Sequence, residues 1–309
     1  MTTSRTALIT GANQGLGFAL AQGLAAGMGP DDRVLLTGRD PGRVEAAAAA
    51  IVDGDAVARV DTRVLDVRDG EAIAALGAEL GEVDVVFSNA TARMSPNVEP
   101  AKEVDAVAET SNLATTRILR AFAPRLRTGG RLIIVASALG TLDKLEDQIV
   151  DRFAQAADNL DAVDALVAEW RRAVHDRRAR DEGYGDWLNI PSKVLQVAAV
   201  RAAARQRRTA DLADNKLLMA LCPGLIDTDA SRPWFEDMSR AQTPTQAASW
   251  PVELALAPTF DPAFYGELVQ FGKVIPWTTG IPVGHKTTAS TRAPGSREPS
   301  AACRESLSL

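Results

Sequence analysis

The stretch Thr10-Gly11-Ala12-Asn13-Gln14-Gly15-Leu16-Gly17 follows the run Thr6-Ala7-Leu8-Ile9 and leads into Phe18-Ala19-Leu20-Ala21-Gln22-Gly23-Leu24. A strand signal, three glycines and a helix signal stand here in that order. The glycines permit a tight turn and a close backbone approach to a pyrophosphate, whose charge then rests on a helix N-terminus. Glycine-rich turns are common, and the other reading is a plain tight turn. The position between strand and helix is what favours dinucleotide binding.

Outward from this loop, short β-branched runs alternate with alanine-rich helical patterns. Strands are predicted at 6–10, 33–37, 60–65, 83–88, 131–136 and 216–221, with a short one at 267–271. Helices are predicted near 16–28, 41–52, 70–80, 101–127 and 192–212. Strands apolar on both faces and separated by helices imply βαβ units. The expected fold is therefore α/β: one doubly wound parallel sheet of six or seven strands, a single Rossmann-type domain over residues 1–277. Residues 141–183 interrupt the rhythm with apolar positions Leu142, Leu145, Ile149 and Phe153, then Val163, Leu166, Val167, Trp170 and Val174. Spacings of three and four give each helix one buried stripe, so this segment reads as a helical insertion packed on the main domain. Residues 278–309, rich in Ser, Thr, Pro and Gly without an aromatic residue, read as a disordered tail.

Composition narrows the function classes. The 309 residues are 46% hydrophobic with a net charge of −6, which supports a large core and argues against a nucleic-acid partner. Two cysteines, Cys222 and Cys303, make no disulfide framework, and with only His175 and His285 no metal site is expected. Neither a secretory signal nor a membrane-spanning run is visible, so a cytoplasmic protein without a membrane partner is expected.

Further motifs fall in order after the loop: Leu65-Asp66-Val67, Ser88-Asn89-Ala90, Asn112, Ser137, Lys193 and Pro223-Gly224. Together with the Thr-Gly-x-x-x-Gly-x-Gly spacing, this set resembles the short-chain dehydrogenase/reductases. The long insertion before Lys193, Asn13 and the stretch Glu253-Leu254-Ala255-Leu256-Ala257 are similar to the monomeric carbonyl reductase branch. The resemblance implies a nicotinamide dinucleotide held by Gly11, Asn13, Gln14, Gly15, Leu16 and Gly17. It also implies that Asp66 contacts the adenine amino group beside Val67, and that Asn89 and Ala90 line the adenosine ribose. Lys193, Pro223, Gly224, Ile226 and Thr228 would serve the nicotinamide end, although Thr228 can equally cap a turn. Thr91 stands where the family has a glycine. The second predicted strand ends Thr37-Gly38-Arg39-Asp40, with no acid at 37–39 to take the ribose hydroxyls. Arg39 offers a guanidinium fork to a 2′-phosphate, which favours NADP(H); the alternative is a solvated arginine beside Asp40. The branch also implies a monomer, with 141–183 covering helices that pair across subunits in related tetramers.

The catalytic set implied by the resemblance is incomplete. In the family a tyrosine gives a proton to the carbonyl as hydride arrives, a lysine one turn later lowers its pKa, a serine orients the carbonyl and an asparagine anchors a water relay. Asn112, Ser137 and Lys193 match, but four residues before Lys193 stands Asn189, in Trp187-Leu188-Asn189-Ile190-Pro191-Ser192-Lys193. An amide cannot act as a general acid. Such help is worth roughly 10²–10⁴ in rate. Asn189 is also a good N-cap ahead of Pro191 and can simply begin the helix. Candidate substitutes for the proton donor are Tyr184, if its loop folds back, Lys193 itself, a relayed water, or His175, which reads rather as a surface residue. The basic stretch Arg201–Arg208 reads as a solvated helix face. The leading expectation is an NADPH-dependent oxidoreductase acting on a carbonyl, enone or imine of a small hydrophobic molecule. A non-redox enzyme on the same scaffold, a cyclase, isomerase or dehydratase, and a non-catalytic NADP-binding protein remain the alternatives.

Overall fold

The computed structural model describes residues 4–277. Its centre is one eight-stranded sheet in the order β3-β2-β1-β4-β5-β6-β7-β8. The strands are β1 (Thr6–Thr10), β2 (Arg33–Gly38), β3 (Arg59–Val64), β4 (Val83–Ser88), β5 (Leu126–Val135), β6 (Leu217–Leu221), β7 (Leu268–Gln270) and β8 (Lys273–Ile275). β1 to β7 pair in parallel, and β8 returns antiparallel on β7. Strand order reverses between β1 and β4, which opens a crevice at their carboxyl ends. The expected parallel core is thus present. The count of six or seven strands is corrected to eight, because Phe271 and Gly272 both take positive φ (49° and 73°) and close a tight hairpin.

Helices cover both faces: α1 (Gly15–Gly27), α2 (Pro41–Val52), α3 (Gly70–Leu80), α4 (Pro100–Val107), α5 (Ala114–Phe122), α6 (Asp147–Ala156), α7 (Leu160–His175), α8 (Asn189–Ala213) and α9 (Pro244–Leu256). Side-chain caps begin several of them: Asp40 accepts from Arg43 N–H, Asp69 from Ala72 N–H and Asn159 from Ala162 N–H. α9 is absent from the expectations above. It starts with a reciprocal Thr243–Gln246 capping box and Pro244 in its first turn. The single helix expected at 101–127 is also corrected. It divides into α4, a π-helical segment Ala108–Leu113 and α5, and β5 already begins at Leu126. Within 141–183, every apolar position of the expected stripes is buried, from Leu142 through Val174. The tail expectation for 278–309 lies outside the described residues.

One polar residue ties the far side of this core together. Arg131, at full burial on β5, donates to the carbonyls of Gly129 (2.6 Å), Gly130 (3.2 Å), Asn215 (2.7 Å) and Ala257 (3.1 Å). Its guanidinium carbon lies 4.8 Å from the centroid of the Phe260 ring. Carbonyl dipoles and a ring face thus serve it in place of a carboxylate, and burial draws its pKa down to about 10. Arg131→Met is expected to strand these carbonyls and cost about 2–4 kcal/mol of stability, read from chemical denaturation. Arg131→Lys should not restore the loss, since one ammonium cannot replace the planar fork.

Candidate functional site

The crevice is built around the glycine loop. Gly11 takes φ +63°, and a Cβ there would stand 3.0 Å from the Ala90 Cα. A Cβ on Gly17 would fall 2.3 Å from the Gly11 carbonyl oxygen and 2.5 Å from the Asn89 amide nitrogen. The loop is therefore pressed against the end of β4 at contact that only glycine allows. Asn89 locks it there: its Nδ2 donates to the carbonyls of Thr10 (3.1 Å) and Gly11 (3.2 Å). The Thr10 hydroxyl accepts from the N–H groups of Asn89 (2.9 Å) and Ala90 (3.0 Å). Asn89 and Ala90 thus meet the loop directly.

The N-terminus of α1 suits an anion. Gln14 occupies its N-cap position without a side-chain cap bond, and the first turn holds no acidic residue. Leu16 is buried beneath, and Gly15, at φ +54°, faces Thr228 across the crevice, with 3.5 Å from a built Cβ to the Thr228 Cγ2. Free helical N–H groups, a positive dipole end and space cleared by glycines form a cradle that a pyrophosphate fits. The Asn13 Oδ1 lies 3.3 Å from where a Cβ on Gly38 would be, so Asn13 bridges the loop to β2.

At the end of β2, Arg39 is exposed and makes no ion pair or hydrogen bond with another described residue. Asp40, the alternative partner, is spent on capping α2. Asp66 is held by Arg68, whose Nε lies 3.0 Å from each carboxylate oxygen, and Val67 is buried beside it. The Arg68 bonds, helped by the Arg39 charge, keep the Asp66 carboxyl below its usual range. Sequence reasoning passed over Arg43, whose guanidinium donates to the Gln14 side chain and so brings a second cation to the loop. Its only signal was a position four residues after Arg39.

On the far wall, Pro223 O accepts from Gln242 Nε2 (3.1 Å), and Gly224 at φ +81° leaves room for Phe271, 2.8 Å from a built Cβ. Buried Ile226 bridges to Gln242. Thr228 answers to Ser231: the hydroxyls lie 3.0 Å apart, and the Thr228 N–H donates to the Ser231 Oγ (3.2 Å). Thr228 is both a turn residue and a neighbour of the glycine loop.

The catalytic candidates converge on the first turns of α8. Buried Asn112, on the π-helical segment, donates from Nδ2 to the Ser192 carbonyl (2.8 Å) and accepts from the Ser192 hydroxyl (3.0 Å). Both ends of this amide therefore clamp α8 next to Lys193. The Ser137 Oγ accepts from the Leu139 N–H (3.2 Å), which leaves its own proton to donate. The turn after Ser137 packs on α8, since a Cβ on Gly140 would lie 2.9 Å from the Lys193 carbonyl oxygen. The Lys193 Nζ donates to the Gln196 Oε1 (2.7 Å). Burial pulls the Lys193 pKa down to about 8, opposed by the nearby Cys222 thiol.

Two expectations fail here. Asn189 is no cap: α8 begins with it, and Leu188 at the N-cap position has helical φ −55° and ψ −25°. Its side chain is left on the same face as Lys193, one turn away. Tyr184 does not fold back to α8. It is buried in the packing of 141–183, edge-on to Phe153 with ring centroids 6.2 Å apart, amid Arg152, Glu169 and Arg172. The other tyrosine, Tyr265, donates to Asp211 (2.6 Å) in the core. Among the described residues the Tyr184 hydroxyl is thus buried without a hydrogen-bond partner, and only the Tyr265 phenol is engaged. His175 pairs with Asp105 (2.8 Å) on the surface, as expected. Arg201, Arg205 and Arg207 are paired with Glu267, Asp158 and Asp211, so that stretch is an ion-paired face and not merely a solvated one. Trp187, from the loop before α8, meets Trp234, from the segment after β6, ring centroids 5.7 Å apart. Among the described residues no group of three or more His, Cys, Asp or Glu side chains is placed to hold a metal, and no helix is long and apolar enough to cross a membrane.

Comparisons with known proteins agree with this geometry. The family model for short chain dehydrogenases matches residues 5–147. Carbonyl reductase (NADPH) 3 of Rattus norvegicus is 30% identical over 89% of this chain and 99% of its own length. Carbonyl reductase (NADPH) 1 of Sus scrofa is 29% identical over 90% of this chain and 96% of its own. Among solved structures, salutaridine reductase from Papaver somniferum superposes with a TM-score of 0.71 at 17% identity, covering 85% of this chain and 99% of that one. The NADPH-bound carbonyl reductase from chicken fatty liver gives 0.63 at 19% identity, over 90% and 96%.

Because Asn189 makes no cap bond, Asn189→Ala should leave unfolding stability within about 0.5 kcal/mol of the parent. A true cap would lose about 0.5–2 kcal/mol. Denaturant titration of the two proteins separates these outcomes.

Proposed function

The chain belongs to the short-chain dehydrogenase/reductase family, and from that premise we propose that it is an NADPH-dependent oxidoreductase of the carbonyl reductase type. Its substrate is a small hydrophobic molecule carrying a carbonyl, enone or imine. The observation that carries this reading is the uncapped α1 N-terminus behind glycines that leave no room for a Cβ, with the unpaired Arg39 at the end of β2. When bound, the reduced dinucleotide supplies a hydride. The glycine loop holds its pyrophosphate, and Arg39 takes the 2′-phosphate, with Arg43 bringing a second cation to the loop through Gln14. Asp66, Val67, Asn89 and Ala90 serve the adenosine half, and Pro223, Gly224, Ile226 and Thr228 the nicotinamide half.

Ser137 orients the substrate oxygen through its free hydroxyl proton. Asn189 stands where the family carries its tyrosine and offers that oxygen an N–H it does not give up. Trp187 and Trp234 supply aromatic faces to the substrate, which supports its hydrophobic character. The protein works as a cytoplasmic monomer in which α6 and α7, packed on α5 and α8, cover the faces through which related chains associate. A second reading is a non-redox enzyme that keeps the dinucleotide as a structural group. The placement of Tyr184 against Phe153 and of Tyr265 on Asp211 favours it.

NADPH oxidation measured against a panel of ketones, enones and imines should show turnover, and tight NADPH binding without any turnover would sink the reductase reading. Arg39→Ala should lose roughly 1–3 kcal/mol of the preference for NADPH over NADH, as expected of a charge-assisted contact. An unchanged preference in calorimetric titration would make Arg39 a bystander. Asn189→Tyr should raise simple ketone reduction measurably, since Ser137 and Lys193 remain to orient a carbonyl and tune a phenol.

A further inference from the structure

A glutamine stands in the apolar run Val194-Leu195-Gln196-Val197, with only 3% of its surface exposed. Burying an amide costs free energy unless both its ends are bonded, and an apolar residue would fill the place without that demand. Both ends of Gln196 are bonded. Nε2 donates to the Thr115 Oγ1 (3.3 Å), and Oε1 accepts from the Lys193 Nζ (2.7 Å). The orientation of the amide is forced. The Thr115 hydroxyl spends its proton on the Ser111 carbonyl (2.6 Å), so toward Gln196 it can only accept. Gln196 must therefore turn its nitrogen to Thr115 and its oxygen to Lys193. The π-helical segment that carries Asn112 thereby fixes the lysine amine through two buried side chains.

We propose that Gln196 is a positioning residue that holds the Lys193 amine, and that this amine, in place of a phenol, gives the proton to the substrate oxygen. The proposal rests on the reductase reading above. An Nζ–H bond breaks and an O–H bond forms, leaving Lys193 a neutral amine that regains its proton from water. The two electrons of the new C–H bond arrive as hydride from a reduced nicotinamide dinucleotide. A neutral amide is the partner this role requires: it orients the ammonium without trapping its proton, as a carboxylate would. Among the described residues the one titratable group that bears on the amine is Cys222 at the end of β6, whose thiol pKa burial raises, so it acts on the ammonium only once ionised to thiolate. With the amine drawn to about pKa 8, its acid form dominates at neutral pH while the proton remains easy to give.

The test uses the full chain and two readouts. First, the pH dependence of Lys193 acetylation, followed by peptide mass spectrometry without any dinucleotide, titrates the amine directly. Its midpoint should lie near pH 8. It should move up in Gln196→Glu, which adds a negative charge, and down in Gln196→Met, which removes the acceptor of the ammonium at similar volume. Second, kcat for a reducible carbonyl should fall as pH rises through the same midpoint and shift with it in both variants. Lys193→Met should lose about 10²–10⁴ in kcat. A midpoint unmoved in both variants would overturn the role of Gln196. A midpoint that moves while the kcat profile stays put would assign the proton to another group. If no carbonyl turns over at all, the reductase reading fails, and the acetylation titration still judges the Gln196–Lys193 contact.

Discussion

The crossing of the glycine loop and the end of β4 is the contact on which the site depends. The Gly17 Cα sits so near the Gly11 carbonyl and the Asn89 amide that no side chain can intervene. Asn89 uses that closeness to bind two loop carbonyls at once. Because β1 and β4 are neighbours at the point where strand order reverses, the same bonds set the width of the crevice. Everything that faces a ligand there, from Thr228 on one wall to Arg39 on the other, is measured from this junction.

Behind the crevice runs a second system, made of buried polar groups. Lys193 is joined to Gln196, Gln196 to Thr115, and Thr115 to the Ser111 carbonyl. The Ser111 hydroxyl lies 3.0 Å from that of Thr91, the residue that stands where the family has glycine. Asn112 and Ser192 form a parallel clamp one residue away. Such a network is stabilising only when its members are paired, and here each of these side chains has at least one partner within the network. The irregular π turn supplies this fit, since its extra residue per turn brings Ser111 and Asn112 to α8 together.

Much of this was legible in the sequence, for physical reasons that differ by element. Strands such as Leu217–Leu221, apolar on both faces, announce a sheet covered on both sides, and the glycine loop declares its own place between β1 and α1. The β7–β8 hairpin was hidden because its turn puts Phe271 at positive φ, where Asn or Gly would have given notice. The π-helical segment was hidden because Val104, Val107 and Ala108 continue an apolar pattern that says nothing of hydrogen-bond spacing. Asn189 looked like a cap from residue type alone, but Leu188 is already helical, and the chain entered its helix earlier than composition suggests. Arg43 and Gln196 carry no motif. Their importance comes from what stands opposite them, which only the fold can reveal.

The two rims of the sheet differ in character from its centre. β3 presents Arg59, Asp61 and Arg63, and its outer residues are largely exposed. At the other rim β8 is three residues long and opens on Lys273. Unpaired strand edges invite other chains to add on, and short or charged edges resist this. A parallel sheet of this apolarity would otherwise be a template for fibrillar growth. The late hairpin thus ends the described sheet on an edge too short, and too near a lysine, to offer another strand much to pair with.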